Sequence, residues 1–230
     1  VNDYNMIKDG DKIAVGISGG KDSLCLLAAL SEMRRFFPYK YELEAITVSL
    51  GFNETDYSRV KSFCDKLGVN YTVVDTQIGR IIFDERKEEN PCSLCAKMRK
   101  GALNNAAEEL GCNKIALGHN KNDVIETFLM SLIFEGRISC FSPVSFLEKK
   151  KLYSIRPLIY VSEYETKSYA DSLGSIIVKN PCPADGSTKR QEIKELLKTL
   201  NKTYPNLNQR IFGAVTRSLD DWKRGGVNGR

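Results

Sequence analysis

The chain has 230 residues, of which 42% are hydrophobic and 27% are charged. This composition is typical of a globular domain and excludes a mostly disordered chain. No apolar run approaches the roughly 20 residues that span a bilayer, and the first residues form no apolar signal-peptide core. We therefore expect a soluble, cytoplasmic protein with no membrane partner.

The formal net charge of +5 is unevenly distributed. Residues 187–230 hold ten basic and four acidic side chains, whereas the other 186 residues hold 24 basic and 25 acidic ones. A segment of this kind is typical of a tail that binds a polyanion. It is equally typical of a solvated basic helix, and charge alone does not separate the two interpretations.

Short β-branched runs alternate with segments of helical spacing along the chain. The predicted strands cover residues 11–18, 41–50, 70–76, 114–119, 151–161 and 175–178, and the one within 151–161 is expected to end near Arg156 and Pro157. The predicted helices cover residues 22–37, 56–67, 93–110, 122–134, 163–173, 188–201 and 205–222. Residues 78–91 and the turn-rich stretch 180–187 are expected to be irregular.

Strands that alternate with helices of about a dozen residues are typical of βαβ units. The pattern predicts an α/β fold with a doubly wound, mostly parallel sheet and helices on both faces. We divide the chain into a main domain over residues 1–186 and a basic helical segment over residues 187–230.

The first predicted strand runs directly into the segment SGGKDS, and a helix follows. Glycines let a backbone approach an anion, and N–H groups at a helix N-terminus point toward it. Hydroxyl groups and a lysine add donors and charge. The spacing differs from that of a Walker A loop and of G-x-G-x-x-G. We predict a phosphate-binding loop rather than a turn without a ligand, formed by Ser18, Gly19, Gly20, Lys21, Asp22 and Ser23.

The chain has seven cysteines without a dense framework, so a secreted disulfide scaffold is not expected. Cys92 and Cys95 begin a predicted helix, where its dipole and the nearby Lys97, Arg99 and Lys100 are expected to favour thiolates. This spacing is typical of a metal, cluster or redox site. Four isolated cysteines are interpreted as packing residues: Cys25, Cys64, Cys112 and Cys140.

A second polar group follows the strand at 114–119, again at a carboxyl end of the sheet, where such folds bind ligands. Gly118 and His119 lie there, and we expect His119 to position a ligand rather than transfer a proton. Asp123 is expected either to coordinate Mg²⁺ or to cap the next helix. Arg156 interrupts an apolar strand, so we expect it to have a phosphate or carboxylate partner.

The SGGKDS segment resembles the PP-loop of the ATP pyrophosphatases. Three further features resemble one group within them, the tRNA 2-thiocytidine synthetases known as TtcA. These features are PCSLCAKMRKG at 91–101, LGHNKNDVIETF at 117–128, and the pair RPL at 156–158 with PC at 181–182. The resemblance covers about residues 11–195.

This resemblance implies an enzyme that uses ATP to adenylate the C2 carbonyl of a tRNA pyrimidine and replaces the oxygen with sulfur, releasing AMP and pyrophosphate. Cytidine near the anticodon loop is favoured as the target. The implied partners are tRNA, a sulfide or persulfide donor, and a second copy of the chain. The basic residues expected to contact tRNA are Lys189, Arg190, Lys194 and Lys198.

The resemblance also implies a [4Fe-4S] cluster on Cys92, Cys95 and Cys182, with one iron left open for hydrosulfide. Many relatives have a second Cys-x-x-Cys in the late loop, where this chain has Asp185. A closed zinc site with Asp185 as the fourth ligand therefore stays open as an alternative. So does a dithiol/disulfide pair at Cys92 and Cys95 that works through a persulfide.

For the nucleotide, the resemblance implies adenine at the end of the second strand, near Ile46, Val48 and Ser49. It implies Mg²⁺ at Asp123, although relatives often have two acids where this chain has Asn122 followed by Asp123. The residues it assigns to catalysis are Lys21, Asp22, Cys92, Cys182 and Asp123. Those it assigns to nucleotide binding, beside the phosphate loop, are Val48, Gly118, His119 and Arg156.

Three other functions stay open: thiolation of a tRNA uridine, a zinc or redox protein on the same scaffold without thiolase activity, and an ATP pyrophosphatase for a small metabolite. Uridine thiolases usually carry extra cysteine pairs at both ends, and this chain has none before Cys25 or after Cys182. The intact SGGKDS segment argues against an inactive scaffold. The basic segment argues against a small substrate.

Overall fold

Six strands form one sheet in the computed structural model, which describes residues 1–52, 55–86, 91–172, 178, 182 and 188–223. The strands are β1 (Asp11–Gly16), β2 (Tyr41–Ser49), β3 (Asn70–Asp75), β4 (Lys114–Ala116), β5 (Val144–Leu147) and β6 (Leu152–Ile155). Their order is β3-β2-β1-β4-β6-β5. β5 runs antiparallel to β6, and every other pair is parallel.

Eight α-helices connect and cover these strands within the described residues. They are α1 (Lys21–Met33), α2 (Ser58–Lys66), α3 (Ile78–Arg80), α4 (Pro91–Glu109), α5 (Lys121–Glu135), α6 (Glu163–Ser172), α7 (Lys189–Thr203) and α8 (Leu207–Ser218). None of the described helices has the length and apolar character needed to cross a membrane.

Both faces of the sheet are covered, as the alternation along β1 demonstrates. Ile13 and Val15 pack into one core cluster with residues of α1, whereas Ala14 between them packs into another cluster with Leu103 and Ala107 of α4. Successive side chains of a strand point to opposite faces, so helices must lie on both sides. The predicted α/β fold with a mostly parallel sheet is confirmed.

Two local features differ from the prediction. Residues 78–85 are helical rather than irregular, because α3 continues into a π-helical turn at Ile81–Glu85. Ile78 and Ile82 lie four residues apart and are both buried, which anchors this turn to the protein. The antiparallel edge strand β5 was not predicted, whereas β6 ends at Ile155, close to the expected end near Arg156 and Pro157.

The described part of the basic segment packs onto the domain. Ile193 and Leu197 of α7 form a cluster with Ile125 of α5. Beyond α8, Trp222 is 1% exposed, and its carbonyl oxygen accepts a hydrogen bond from Tyr4 Oη at 3.1 Å. The division at residue 186 stays a prediction, and residues 175–177, 180–181 and 183–187 of the predicted late strand and loop lie outside the described residues.

Candidate functional site

The phosphate loop lies between β1 and α1. Gly19 has a φ of +79°, a conformation that side-chain-bearing residues rarely adopt. Ser23 Oγ donates a hydrogen bond to the Gly20 carbonyl at 2.9 Å and accepts one from Ser18 N at 3.2 Å. No side chain caps the N-terminus of α1. Its first N–H groups are therefore available to an anion.

Two segments distant in sequence pack against this loop. A Cβ added to Gly118 would lie 3.0 Å from the backbone of Asp22 and Ser23. The backbone after β4 therefore lies so close to the loop that only glycine fits at position 118. The Gly19 carbonyl accepts a hydrogen bond from Val178 N at 3.0 Å. This second contact brings the chain four residues before Cys182 to the phosphate loop.

A cavity of about 480 Å³ opens beside the loop at the carboxyl edge of the sheet. It reaches from the end of β2 across β1 and β4 to β6, and α4 forms another wall. Such a position is where parallel α/β sheets bind ligands. Predicted site residues that line it are Ser18, Asp22, Ser23, Val48, Gly118, His119 and Arg156.

Lys21 is held by carboxylates in this structure. Its Nζ lies 2.9 Å from Asp22 Oδ2 and 3.1 Å from Glu163 Oε1 of α6. Burial lowers the pKa of Lys21, but the hydrogen bonds and charges of the two acids outweigh burial and raise it. Asp22 Oδ1 in turn accepts hydrogen bonds from Asn120 Nδ2 at 3.1 Å and Thr166 Oγ1 at 2.6 Å.

Asp123 forms a capping box at the start of α5. Its Oδ2 accepts a hydrogen bond from Asn120 N at 2.9 Å, while Asn120 Oδ1 accepts from Asn122 N and Asp123 N. Its other oxygen lies 3.1 Å from Arg190 Nη1. Burial raises the pKa of the Asp123 carboxyl, against its hydrogen bond from Asn120 and the charge of Arg190. The capping alternative is thus realised, and a magnesium role stays a prediction.

Two basic residues of α7, Arg190 and Lys194, face inward, which differs from the expectation that they contact RNA. Arg190 Nη1 lies 3.0 Å from Glu126 Oε2 in addition to its contact with Asp123. Lys194 Nζ lies 3.1 Å from Glu163 Oε1 and 3.7 Å from Glu126. Three acids near the N-termini of α5 and α6 attract Arg190 and Lys194, namely Asp123, Glu126 and Glu163, and the side chains of the two basic residues are only about a third exposed.

Cys92 and Cys95 lie at the start of α4, one turn before the cavity wall formed by Arg99. Burial raises the pKa of the Cys95 thiol, Arg99 lowers it, and the charges of Cys182 and Cys92 raise it further. Arg99 therefore acts on Cys95 in the expected direction, but burial outweighs it and the pKa of the thiol is raised in the ligand-free chain. The same interactions place Cys182 within electrostatic reach of Cys95, although 87 residues separate them.

The side chains that can act as ligands determine whether a single metal ion or an iron–sulfur cluster can bind near Cys92 and Cys95. Within the described ranges, no three His, Cys, Asp or Glu side chains converge closely enough to hold one metal ion. In a cluster each thiolate binds a different iron, so its sulfurs lie farther apart than around a single ion. A donor set of three thiols is one that iron–sulfur clusters use. Asp185 lies outside the described residues.

His119 and Arg156 share the β4–β6 end of the cavity. The ring of Phe141 lies 4.8 Å from the His119 ring and 5.0 Å from the Arg156 guanidinium. Burial and then the positive charges of Arg156 and Arg190 lower the pKa of His119 to about 3, so the imidazole is neutral at pH 7. Burial lowers the pKa of Arg156 to about 10.

Local sequence patterns missed several residues of this site. Glu163 and Thr166 contact Lys21 and Asp22 from more than 140 positions away. Ser154 lines the cavity from β6 and had no motif to mark it. Arg190 is part of the basic segment, where charge alone predicted an outward role.

A phosphate loop and a cavity at the carboxyl edge of a mostly parallel sheet define an α/β protein that binds a nucleotide. A PP-loop domain model of the ATP_bind_3 family matches residues 1–200. Two tRNA-cytidine(32) 2-sulfurtransferases are each 37% identical to the chain. The relative from Pelobacter propionicus aligns over 94% of this chain and 81% of its own length. The one from Dichelobacter nodosus aligns over 95% and 83%.

The chain therefore belongs to the PP-loop family and, within it, to the group of the tRNA-cytidine(32) 2-sulfurtransferases. A solved structure is also similar, that of the U34-tRNA thiolase NcsA from Methanococcus maripaludis with its [4Fe-4S] cluster. Its TM-score is 0.75 at 29% identity, over 93% of this chain and 73% of that one. The resemblance stated from the sequence motifs is confirmed.

Proposed function

We propose that the chain is an ATP-dependent tRNA thiolase that replaces the C2 oxygen of a cytidine with sulfur, using a [4Fe-4S] cluster on Cys92, Cys95 and Cys182. The supporting observation is that Val178, four residues before Cys182, donates a hydrogen bond to the Gly19 carbonyl of the phosphate loop at 3.0 Å, and that α4, whose first turns hold Cys92 and Cys95, forms a wall of the same cavity. Sulfur chemistry and nucleotide activation then share one site. The names of the relatives support the cytidine target.

The chain's own residues account for the activation step. The free N–H groups at the start of α1, with the hydroxyls of Ser18 and Ser23, bind the triphosphate, and apolar Ile46 and Val48 at the other end of the cavity accept the adenine. The C2 carbonyl oxygen of the cytidine attacks the α-phosphorus, and pyrophosphate leaves. Activation is required because a ring carbonyl oxygen leaves poorly, whereas AMP leaves well.

Lys21 and Asp123 change partners in this proposal. Phosphate oxygens compete with Asp22 and Glu163 for the Lys21 ammonium group. Mg²⁺, which accompanies the triphosphate, binds Asp123 only when Arg190 gives up its contact with that carboxylate. The ligand-free contacts therefore keep both groups neutralised until the nucleotide arrives.

Cys92 and Cys95 at the start of α4, together with Cys182, hold the cluster in this proposal. When bound, a [4Fe-4S] cluster supplies an iron without a protein ligand, the chemistry needed to deliver sulfur. Cys95 is half-buried, and Arg99, one turn further along α4, lines the nucleotide cavity. We further propose a sulfide or persulfide donor, a homodimer, and, since the substrate is tRNA, a cytoplasmic location.

The test is anaerobic purification of the full chain with iron and acid-labile sulfide assays. We expect about four of each per chain, and loss of the visible cluster absorption in Cys182→Ala. The matched control is Cys140→Ala, a half-buried cysteine on no predicted centre, which keeps the spectrum. Bound zinc without iron, or an unchanged spectrum in Cys182→Ala, contradicts the cluster.

The target base is tested separately by nucleoside analysis. Wild-type protein, ATP, Mg²⁺, sulfide and unmodified tRNA should yield 2-thiocytidine and AMP. A 2-thiouridine product would support thiolation of a uridine by the same chemistry and overturn the cytidine assignment. AMP formation without any thiolated nucleoside would support the small-metabolite alternative.

A further inference from the structure

Three polar atoms in the cavity are buried without a hydrogen-bond partner. They are Nδ1 of His119, Oγ of Ser154 and Nε of Arg156, and the described part of the chain has no other buried side-chain nitrogen or oxygen in this state. All three residues line the cavity beside the phosphate loop. Buried polar groups almost always have partners, so three unpaired atoms at one cavity indicate a ligand that supplies them.

The charge of this group indicates an anion. Arg156 is 7% exposed, and its Nη1 donates only to the Ser142 carbonyl at 2.6 Å and to Ser145 Oγ at 3.3 Å. Among the described residues, no carboxylate forms an ion pair with it. A buried guanidinium without an acid is costly, and an anionic ligand relieves that cost.

The three groups can also act together on one acceptor. Arg156 Nε–H can only donate, the Ser154 hydroxyl can donate, and a neutral His119 can carry its proton on Nδ1. Ser154 is on β6 and Arg156 directly follows its end, where its backbone N still donates to the Pro143 carbonyl, so the two side chains, two residues apart, lie on the same face of the sheet. Three hydrogen-bond donors, one of which is the positively charged Arg156, are the groups that bind the oxygens of a phosphoryl group.

The position of the group distinguishes it from the phosphate loop. The loop follows β1, whereas this group follows β4 and β6 on the far side of the same cavity. The N-terminus of α1 suits the pyrophosphate part of ATP. The group is therefore a separate set of donors in the same cavity.

We propose that Ser154, His119 and Arg156 form a second phosphoryl subsite, which binds the α-phosphoryl group during adenylation and the AMP that later leaves. This inference rests on the proposed function. As the bond from the base oxygen to the α-phosphorus forms, the bond to pyrophosphate breaks and pyrophosphate takes the electron pair. The non-bridging oxygens keep their negative charge and accept hydrogen bonds from the three donors. When sulfide forms its bond to C2, the C2–O bond breaks and AMP takes that electron pair.

Ser154→Ala tests the subsite by calorimetric titration of the full chain with AMP and, separately, with pyrophosphate. We expect AMP to bind about ten- to a hundredfold more weakly, the range for a lost hydrogen bond to a charged group. Pyrophosphate binding should not change. The melting temperature of the ligand-free variant should stay the same or rise, because the hydroxyl has no partner to lose.

The matched control is Ser31→Ala, a buried serine on α1 outside the cavity. Its hydroxyl donates to the Leu67 carbonyl at 3.2 Å and accepts from Arg34 at 2.8 Å. This variant should melt at a lower temperature yet bind AMP like the wild type. The two serines therefore separate ligand binding from stability.

Wild-type AMP affinity in Ser154→Ala overturns the subsite and leaves the proposed function intact if that variant still thiolates tRNA. Weaker binding of pyrophosphate with unchanged AMP binding overturns the α-phosphoryl assignment in favour of pyrophosphate. A wild-type protein that binds neither ATP nor AMP overturns both the subsite and the proposed function.

Discussion

His119 illustrates how one environment decides the role of a side chain. It is the single histidine of the chain, and its ring lies against Phe141 with Arg156 nearby. Burial and two positive charges oppose its protonation, so it stays neutral where most histidines titrate. A neutral imidazole can orient a ligand through hydrogen bonds, but it is a weak general base. The expectation of a positioning role is consistent with this.

The single histidine permits a direct pH test. The unfolded chain binds a proton near pH 6.5 and the folded chain only near pH 3, so the free energy of unfolding should fall as the pH drops below about 6.5. The slope from this residue is at most about 1.4 kcal/mol per pH unit. Denaturant titrations of wild type and His119→Gln isolate it from the carboxylates. An imidazole NMR signal that titrates near pH 6.5 would contradict the burial argument.

At the scale of elements, α7 acts as a clamp across the N-termini of α5 and α6. Arg190 bridges Asp123 and Glu126, and Lys194 joins Glu126 to Glu163. Glu163 also holds Lys21 of the phosphate loop, and its backbone N donates to Asn122 Oδ1 at 3.0 Å. The basic helix is therefore connected to the phosphate loop through one shared carboxylate.

Arg190→Ala should remove this clamp. Glu126 is 2% exposed, and without Arg190 its charge keeps only Lys194 at 3.7 Å. We expect the free energy of unfolding to fall by about 1–2 kcal/mol, less than for a fully buried pair because Arg190 is partly solvated. Adding Glu126→Gln should restore part of the loss. Lys198→Ala, an exposed base of the same helix, should leave stability unchanged in chemical denaturation.

At the scale of the whole molecule, the basic segment has some basic side chains that face the domain and others that face solvent. Arg190 and Lys194 neutralise acids of the domain, whereas Lys198 and Lys202 lie one turn apart and are exposed. Only exposed basic residues such as Lys198 and Lys202 are available to the phosphates of tRNA. The excess charge of the segment therefore overstates its capacity to bind RNA.

Lys198→Ala/Lys202→Ala should weaken tRNA binding and flatten its salt dependence. Each lost phosphate contact lowers the slope of log affinity against log salt by about one unit or slightly less. ATP affinity should be unchanged. Lys66→Ala, an exposed lysine of α2, serves as the control and should keep the wild-type slope in filter-binding assays at several salt concentrations. An identical slope in the double variant would exclude α7 as an RNA surface.

How much could be predicted from the sequence depends on how local each signal is. The strand, glycine loop and helix around residues 11–33 followed from adjacent residues and their periodicity. Arg190, Glu163 and Ser154 could not be assigned, because each joins the site through contacts with residues more than 30 positions away. The π-helical turn at Ile81–Glu85 was missed for a related reason, since it depends on the tertiary burial of Ile82 and on no local helical signal in the segment 78–91.

The contact between Tyr4 and Trp222 has a consequence for how the polypeptide is made. It closes a loop of 218 residues, and the Trp222 indole also donates to the Phe141 carbonyl at 3.1 Å. The entropy of closure grows only with the logarithm of loop length, so the loop itself is not prohibitive. Tyr4 also accepts a hydrogen bond from Tyr160 Oη at 3.0 Å, so part of its surroundings can form once position 160 has been synthesised. The cover that Trp222 provides is completed only after translation has passed position 222.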